Sequence, residues 1–314
     1  MKKPLIILTG PTAVGKSAAS IGIAKRIGGE IISADSIQVY KYMDIGSAKI
    51  SREEMDGVNH YLIDDLDPAE EFNVAKFQQM AKAALDRIYE AGHIPIVVGG
   101  TGFYIRALLY DTDFLDAGEE TGYRRELEAA AREEGPTALH ERLQKVDELS
   151  AEMIHPNNVK RVIRALEFYH QTGTRISDHN QSERQKESPY NFAYFVLNED
   201  RTRLYERIDT RVDKMLELGL VEEIWKLKKM GYDSKLVSMQ GLGYKEVFQY
   251  LNGDCTLDEA IYMIKRDSRH FAKRQITWFK REPAVIWIEK EEFDYDQQRM
   301  ENYMLDILAE RTII

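Results

Sequence analysis

The chain has 314 residues and a single cysteine, Cys255, so no internal disulfide and no cysteine-based zinc site is available to it. That usage suits a reducing cytoplasm. Cys255 sits in the polar turn Asn252-Gly253-Asp254-Cys255-Thr256, with no basic neighbour to activate it as a thiolate. Long apolar runs are missing too; none approaches the roughly 18 residues that span a bilayer. The seven histidines lack metal-ligand spacing, and there is no internal repeat. Net positive charge is also lacking: 43 basic residues against 53 acidic ones leave −10, a balance that argues against nucleic acid as a partner. What the chain does have is apolar residues, 43% of it, enough for a large core and, by length, about two domains.

The most informative stretch is Gly10-Pro11-Thr12-Ala13-Val14-Gly15-Lys16-Ser17, which fits the phosphate-loop pattern G-x-x-x-x-G-K-[ST]. Pro4-Leu5-Ile6-Ile7-Leu8-Thr9 before it reads as a buried strand, and residues 18–26 after it read as a helix. Strand, glycine turn and helix aim backbone N–H groups at an anion, with the helix dipole and Lys16 adding positive charge. The basic-then-apolar N-terminus leads directly into this loop, so it reads as a core strand and not a signal peptide.

Further strand-like runs occupy residues 30–33, 60–63, 94–98, 192–197 and 285–288. Helical patterns alternate with them, for example over 74–91 and 211–230. This predicts an α/β fold, a P-loop NTPase-like parallel sheet core with helices on both faces. Residues 115–188 contain no strand-like run; helical stretches lie at 123–134, 137–145 and 158–172, flanked by polar joints. We therefore expect a core of 1–114 and 190–314 carrying an all-helical inserted domain at 115–189. Residues 42–57 and 178–190 read as long loops. No apolar helix face is left clearly over, so we expect a monomer without an obligate protein partner.

Asp35, in Ser33-Ala34-Asp35-Ser36-Ile37-Gln38-Val39-Tyr40, lies just past a strand, at the sheet edge where α/β proteins bind ligands. It fits a general base, a Mg²⁺ ligand or a turn cap equally. Gly99-Gly100-Thr101-Gly102-Phe103-Tyr104 repeats the strand-turn-helix pattern, with Thr101 a hydroxyl at that edge or an N-cap. From Lys265 to Arg281 seven basic residues stand against one acid, Asp267, interleaved with His270, Phe271, Trp278 and Phe279. Such a stripe is either a polyanion site or a solvated helix face. Asn157-Asn158-Val159-Lys160-Arg161-Val162-Ile163-Arg164 opens another basic helix, and Gln240-Gly241-Leu242-Gly243-Tyr244-Lys245-Glu246 is a glycine-broken turn.

Taken together, in this order over nearly the whole chain, these motifs resemble bacterial tRNA dimethylallyltransferases. These isopentenyltransferases modify the adenine beside the anticodon. The phosphate loop alone is shared with many NTPases; its combination with Asp-Ser-x-Gln-Val-Tyr and Gly-Gly-Thr-Gly-Phe-Tyr is far more specific. With one cysteine, we expect no zinc-finger extension of the kind eukaryotic relatives carry. The resemblance implies that Gly10, Thr12, Ala13, Val14, Gly15, Lys16 and Ser17 hold the diphosphate of dimethylallyl diphosphate, with Mg²⁺ on Ser17. Arg207 or Arg211 is the implied clamp, Arg211 being the choice. Asp35 would be the base that takes the amine proton, and Thr101 would position the reacting pair. The anticodon stem-loop of tRNA would meet Asp35, Ser36, Ile37, Gln38, Tyr123, Val159, Lys160, Arg161, Val162, Ile163, Arg164, Gln240, Gly241, Lys245, Lys273, Arg274 and Gln275. Arg124 is a further contact expected beside Tyr123 near the insertion tip, 115–135. The rival readings are a P-loop small-molecule or nucleoside kinase, an adenylate isopentenyltransferase, and a non-catalytic nucleotide switch that binds RNA.

Overall fold

The protein, here a computed structural model, is described over residues 2–114 and 122–314. The chain opens with β1 (Lys3–Thr9), α1 (Lys16–Ile27), β2 (Gly29–Ser33), β3 (His60–Tyr61), α2 (Val74–Glu90), β4 (Ile94–Gly99) and α3 (Gly102–Leu109). The helices α4 (Gly122–Glu133), α5 (Pro136–Val146), α6 (Glu148–Met153), α7 (Val159–Thr172) and α8 (Ile176–Gln185) follow without a strand among the described residues. Then come β5 (Tyr190–Asn198), α9 (Arg201–Glu217), α10 (Leu220–Lys229), α11 (Tyr244–Asn252), α12 (Leu257–Phe279), β6 (Val285–Glu289) and α13 (Gln297–Glu310).

The strands form one sheet in the order β3-β2-β4-β1-β5-β6, parallel throughout. Central β1 is apolar on both faces, as a strand covered on both sides must be; Leu5, Ile6, Ile7 and Leu8 are at most 1% exposed. Burying one such side chain stabilises the fold by about 1.5–3 kcal/mol. Ile23 of α1, Ile96 of β4, Phe195 of β5, Ile208 of α9 and Met304 of α13 complete the core around the sheet. Because β2, β4 and β1 are neighbours, the segments that follow them, carrying Asp35, Thr101 and the loop from Gly10, emerge side by side at the carboxyl edge.

The chain divides into two compact units, Met1–Leu109 with Pro189–Ile314, and Tyr110–Ser188. The second unit has its own core, in which Leu127, Leu139, Leu143, Val162, Ile163 and Leu166 are buried. Asp147 caps α6 there by accepting from Ser150 N at 3.0 Å, and its other oxygen accepts from Ser177 N at the start of α8. Part of the insertion tip expected at 115–135 lies outside the described residues.

Three expectations need correction. The helix expected over 211–230 is two helices, α9 and α10. Gly219 adopts φ 99° between them, a left-handed turn that apolar periodicity does not register. The loop expected at 178–190 is mostly α8, a polar helix in which only Ser177 is buried. The strand expected at 60–63 stops after Tyr61, because Leu62 and Asp64 take φ 61° and 58°. Residues 42–57 form turns without a regular element, as expected.

Candidate active site

The loop after β1 is shaped by backbone geometry that its sequence anticipates. Gly10 has φ 147°, and a Cβ there would lie 2.4 Å from Leu197 O, so no side chain fits. Gly15 has φ 102° and leads into α1, which begins at Lys16. Ala13 also takes a left-handed conformation, φ 66°. The strand end is fixed from the side, since Thr9 Oγ1 donates to Gly99 O at 2.6 Å.

Lys16, Arg207 and Arg211 gather on this loop. Lys16 Nζ donates to Gly10 O at 3.1 Å and to Pro11 O at 2.8 Å. Burial lowers its ammonium to about 7; Arg211 adds to the fall and Asp35 opposes it. Arg211 is lowered chiefly by burial and held up by Asp35, and its Nη1 donates to Thr12 Oγ1 at 3.4 Å. Arg207 Nε donates to Ala13 O at 2.8 Å. Ser17 is exposed at the first turn of α1.

Asp35 faces this cationic group from the next loop. One of its oxygens accepts from Ile37 N at 2.8 Å and Gln38 N at 3.2 Å, which makes it a turn cap as well. The other oxygen is not used by that turn. Thr101 follows β4 beside it. A Cβ on Gly99 would lie 2.2 Å from Ala34 O, so β4 approaches the residue before Asp35 closely. Tyr104, in the first turn of α3, also senses Asp35; burial, then Tyr40, then Asp35 push its hydroxyl up to about 12. The site thus sets a carboxylate opposite a cationic, amide-lined loop, an arrangement suited to holding an anionic leaving group while a proton is removed.

Gln275 of α12 joins the two glycine turns. Its Oε1 accepts from Thr12 N at 2.9 Å, and its Nε2 donates to Gly100 O at 2.9 Å. A Cβ on Gly100 would lie 2.1 Å from that Nε2. Trp278, one turn on, packs on Gly102, where a Cβ would be 2.2 Å from the indole.

The IPP transferase family model matches residues 38–282 of this chain. The chain belongs to the IPP transferase family. A curated relative from Lachnoclostridium phytofermentans, named tRNA dimethylallyltransferase, is 59% identical over 99% of both chains. A full-length tRNA isopentenylpyrophosphate transferase from Bacillus halodurans is 45% identical, with TM-score 0.74 over 99% of this chain and 98% of that one. A eukaryotic dimethylallyltransferase solved acting on tRNA superposes with TM-score 0.79 at 30% identity, covering 91% of this chain and 74% of that one.

The residues expected to meet RNA separate into exposed and committed groups. Lys160 and Arg161 of α7 are exposed, while Val159 and Arg164 are half-buried. Val162 and Ile163 are core residues of the helical unit, at 0% and 4% exposure, and offer RNA no surface. Tyr123 stacks on His170 at 4.0 Å between ring centres, and Arg124 Nε and Nη2 donate to the two carboxylate oxygens of buried Glu167 at 2.9 and 2.6 Å. Gln275, expected on the RNA, is spent on the brace just described. The Gln38 amide is likewise engaged, donating to Ser47 O and Ala48 O at 3.3 Å. Gln240 is exposed but donates to Ser234 O, and Gly241 packs beside Ile37, where a Cβ would be 3.1 Å from its side chain. The 240–245 turn and the 36–38 turn therefore form one surface, with Ser36 half-buried and Lys245 paired to Glu246 at 3.3 Å.

The basic stripe is thinner than its sequence suggests. Lys265 pairs with Asp213 at 2.6 Å, Arg269 with Asp209 at 2.6 Å and Arg266 with Asp267 at 2.8 Å. Lys273, Arg274, Lys280 and Arg281 stay exposed. His270, Lys273, Arg274, Thr277, Trp278 and Arg281 line an open depression of about 530 Å³.

Sequence reasoning missed Glu223 of α10. Its carboxylate accepts from Asp44 N, Ile45 N and Gly46 N at 3.0, 2.7 and 3.1 Å, and from Tyr244 OH at 2.9 Å. It pins the irregular 42–57 segment, on which Gln38 in turn rests. An acid in a helical run carries no local sign of such a role.

Proposed function

We propose that this enzyme transfers a dimethylallyl group from dimethylallyl diphosphate to the exocyclic amine of the adenine adjacent to the anticodon in tRNA, releasing diphosphate. The observation that carries this reading is Asp35 facing Lys16 and Arg211 across the sheet edge. The curated names of full-length relatives support it over a kinase or an adenylate prenyltransferase.

In this reading the carbon–oxygen bond of the allylic ester breaks, and its electron pair leaves on the diphosphate. The N–H groups of residues 13–17, Lys16 and Arg211 stabilise that charge where it grows. The amine is a poor nucleophile because its lone pair is delocalised into the ring. As its nitrogen bonds the allylic carbon, the free oxygen of Asp35 takes the proton, while Thr101 positions the pair. Ser17, exposed at the rim of the loop, fits Mg²⁺, an ion that usually takes few protein ligands beside substrate phosphate oxygens and water. Among the described residues no carboxylate, histidine or cysteine cluster offers it another seat. The ion would neutralise charge on the diphosphate.

The adenine must leave its stack to reach such a site, and loop bases allow this. Exposed Lys160, Arg161, Lys273 and Arg274 would meet phosphates, and the joined surface of Ile37 and Gly241 would meet bases. The cytoplasm, where tRNA and reduced cysteine coexist, is the setting we propose. The test is incubation with labelled dimethylallyl diphosphate, Mg²⁺ and either unmodified tRNA or AMP. Label in the tRNA alone is expected; label in AMP, or in neither, contradicts the reading.

A further inference from the structure

Behind residues 10–17 lies a charged cluster that the proposed chemistry does not use. Glu199 follows β5, and its side chain is 1% exposed. One carboxylate oxygen accepts from Lys290 Nζ at 3.0 Å, and the other lies 3.2 Å from Arg207 Nε. Lys290 comes just after β6 and Arg207 lies on α9, so three distant segments meet at one carboxylate. Both cations also reach the loop. Lys290 Nζ donates to Val14 O at 3.1 Å, and Arg207 Nε donates to Ala13 O at 2.8 Å. A Cβ on Gly15 would lie 3.7 Å from Arg207 Nη2 and 3.9 Å from Lys290 Nζ.

A trans peptide is planar, with its C=O and N–H pointing opposite ways. Drawing the carbonyls of Ala13 and Val14 back onto two cations turns the N–H groups of Val14 and Gly15 to the other side: that of Val14 donates to Pro11 O at 3.5 Å and closes the loop, and that of Gly15 is turned the same way, toward the anion side. The loop needs such a hold, because Ala13 takes φ 66°, a conformation that non-glycine residues avoid. Glu199 offsets the cost of burying Lys290 and fixes where its ammonium sits.

We infer that Lys290, held by Glu199, is a positioning residue of the anion cradle: it sets the Val14–Gly15 peptide plane, beside the Ala13–Val14 plane that Arg207 holds, and places a positive charge behind the loop. It touches loop carbonyls and does not act on the reacting atoms. On the reading proposed above, the group it helps to bind is the diphosphate of the prenyl donor.

The test uses the full chain as wild type, Lys290→Met, and the double variant Lys290→Met with Glu199→Gln. Three quantities are read: the affinity for inorganic pyrophosphate with Mg²⁺ by calorimetry, KM for each substrate, and the melting temperature. Lys290→Met is expected to weaken pyrophosphate about tenfold or more, the size of one charge-assisted hydrogen bond. KM for dimethylallyl diphosphate should rise similarly while KM for tRNA stays unchanged. The single variant leaves a buried carboxylate short of a partner and should melt earlier. Adding Glu199→Gln should restore most of the melting temperature and none of the affinity. Wild-type affinity in Lys290→Met, or affinity that returns together with thermal stability in the double variant, would overturn the inference. A wild type that binds pyrophosphate through Lys290 but prenylates no tRNA would instead overturn the proposed function and leave the cradle assignment standing.

Discussion

Lys16 donates to two carbonyls of its own loop, and burial beside Arg211 lowers its ammonium to about 7. An anion favours the charged amine, so binding near pH 8 must be accompanied by proton uptake. The affinity for pyrophosphate should therefore fall as pH rises through about 7, and more steeply in wild type than in Lys16→Met. Calorimetry in buffers of different ionisation heat checks this, because pyrophosphate's own titration is common to both proteins. Equal proton uptake by the two would refute the assignment. Asp35 opposes the fall in Lys16, so its loss should move the pH dependence downward.

At the scale of elements, α12 does two separate things. Its inward face holds the site together through Gln275, and its outward face carries Lys273 and Arg274. Gln275→Met removes both bonds at nearly constant volume. It should lower kcat about tenfold or more at saturating substrates, with a smaller change in pyrophosphate affinity, because the two turns lose their fixed spacing. Steady-state kinetics beside pyrophosphate titration separates this from a simple loss of binding. Arg274→Glu should instead weaken tRNA and reduce the slope of log affinity against log salt by about one or more. Lys265→Ala, whose lysine pairs with Asp213 on α9, should leave that slope unchanged. In the helical unit, Val162→Ala should cost about 1–3 kcal/mol of stability as a core cavity, measured by urea unfolding, and should not act through lost RNA contact.

These contrasts also show what the sequence can and cannot carry. The phosphate loop, the carboxylate after β2 and the glycine turn after β4 are local patterns whose meaning depends on one strand and one turn, and the sheet brings them together. The partners of the basic stripe are not local. Asp209 and Asp213 lie on α9, far back in the chain, so counting charges along α12 overstates the free positive charge. Gln275, Glu223 and Lys290 look like ordinary members of polar segments. Only the packing of remote elements reveals that each ends on backbone groups of a loop at the site.

For the molecule as a whole, net charge −10 coexists with exposed basic residues on α7 and α12. A polyanion would be drawn to those faces and repelled elsewhere, which confines productive encounters. Two compact units with separate cores place basic residues on different bodies, Lys160 and Arg161 on one and Lys273 and Arg274 on the other. Reversing charge on both bodies together should weaken tRNA by the product of the single effects if each meets its own phosphates. Filter-binding titrations of the single and double variants across salt test this.

In the proposed transfer, Asp35 is the acceptor of the amine proton. Asp35→Asn keeps an oxygen for the Ile37 and Gln38 amides and removes the basic one, so the turn should survive. The decisive measurement is a rapid-quench single turnover of Asp35→Asn, with tRNA and dimethylallyl diphosphate both saturating. We predict transfer slowed by about 10²–10⁴-fold with pyrophosphate affinity retained. Transfer at the wild-type rate in that variant would contradict the account.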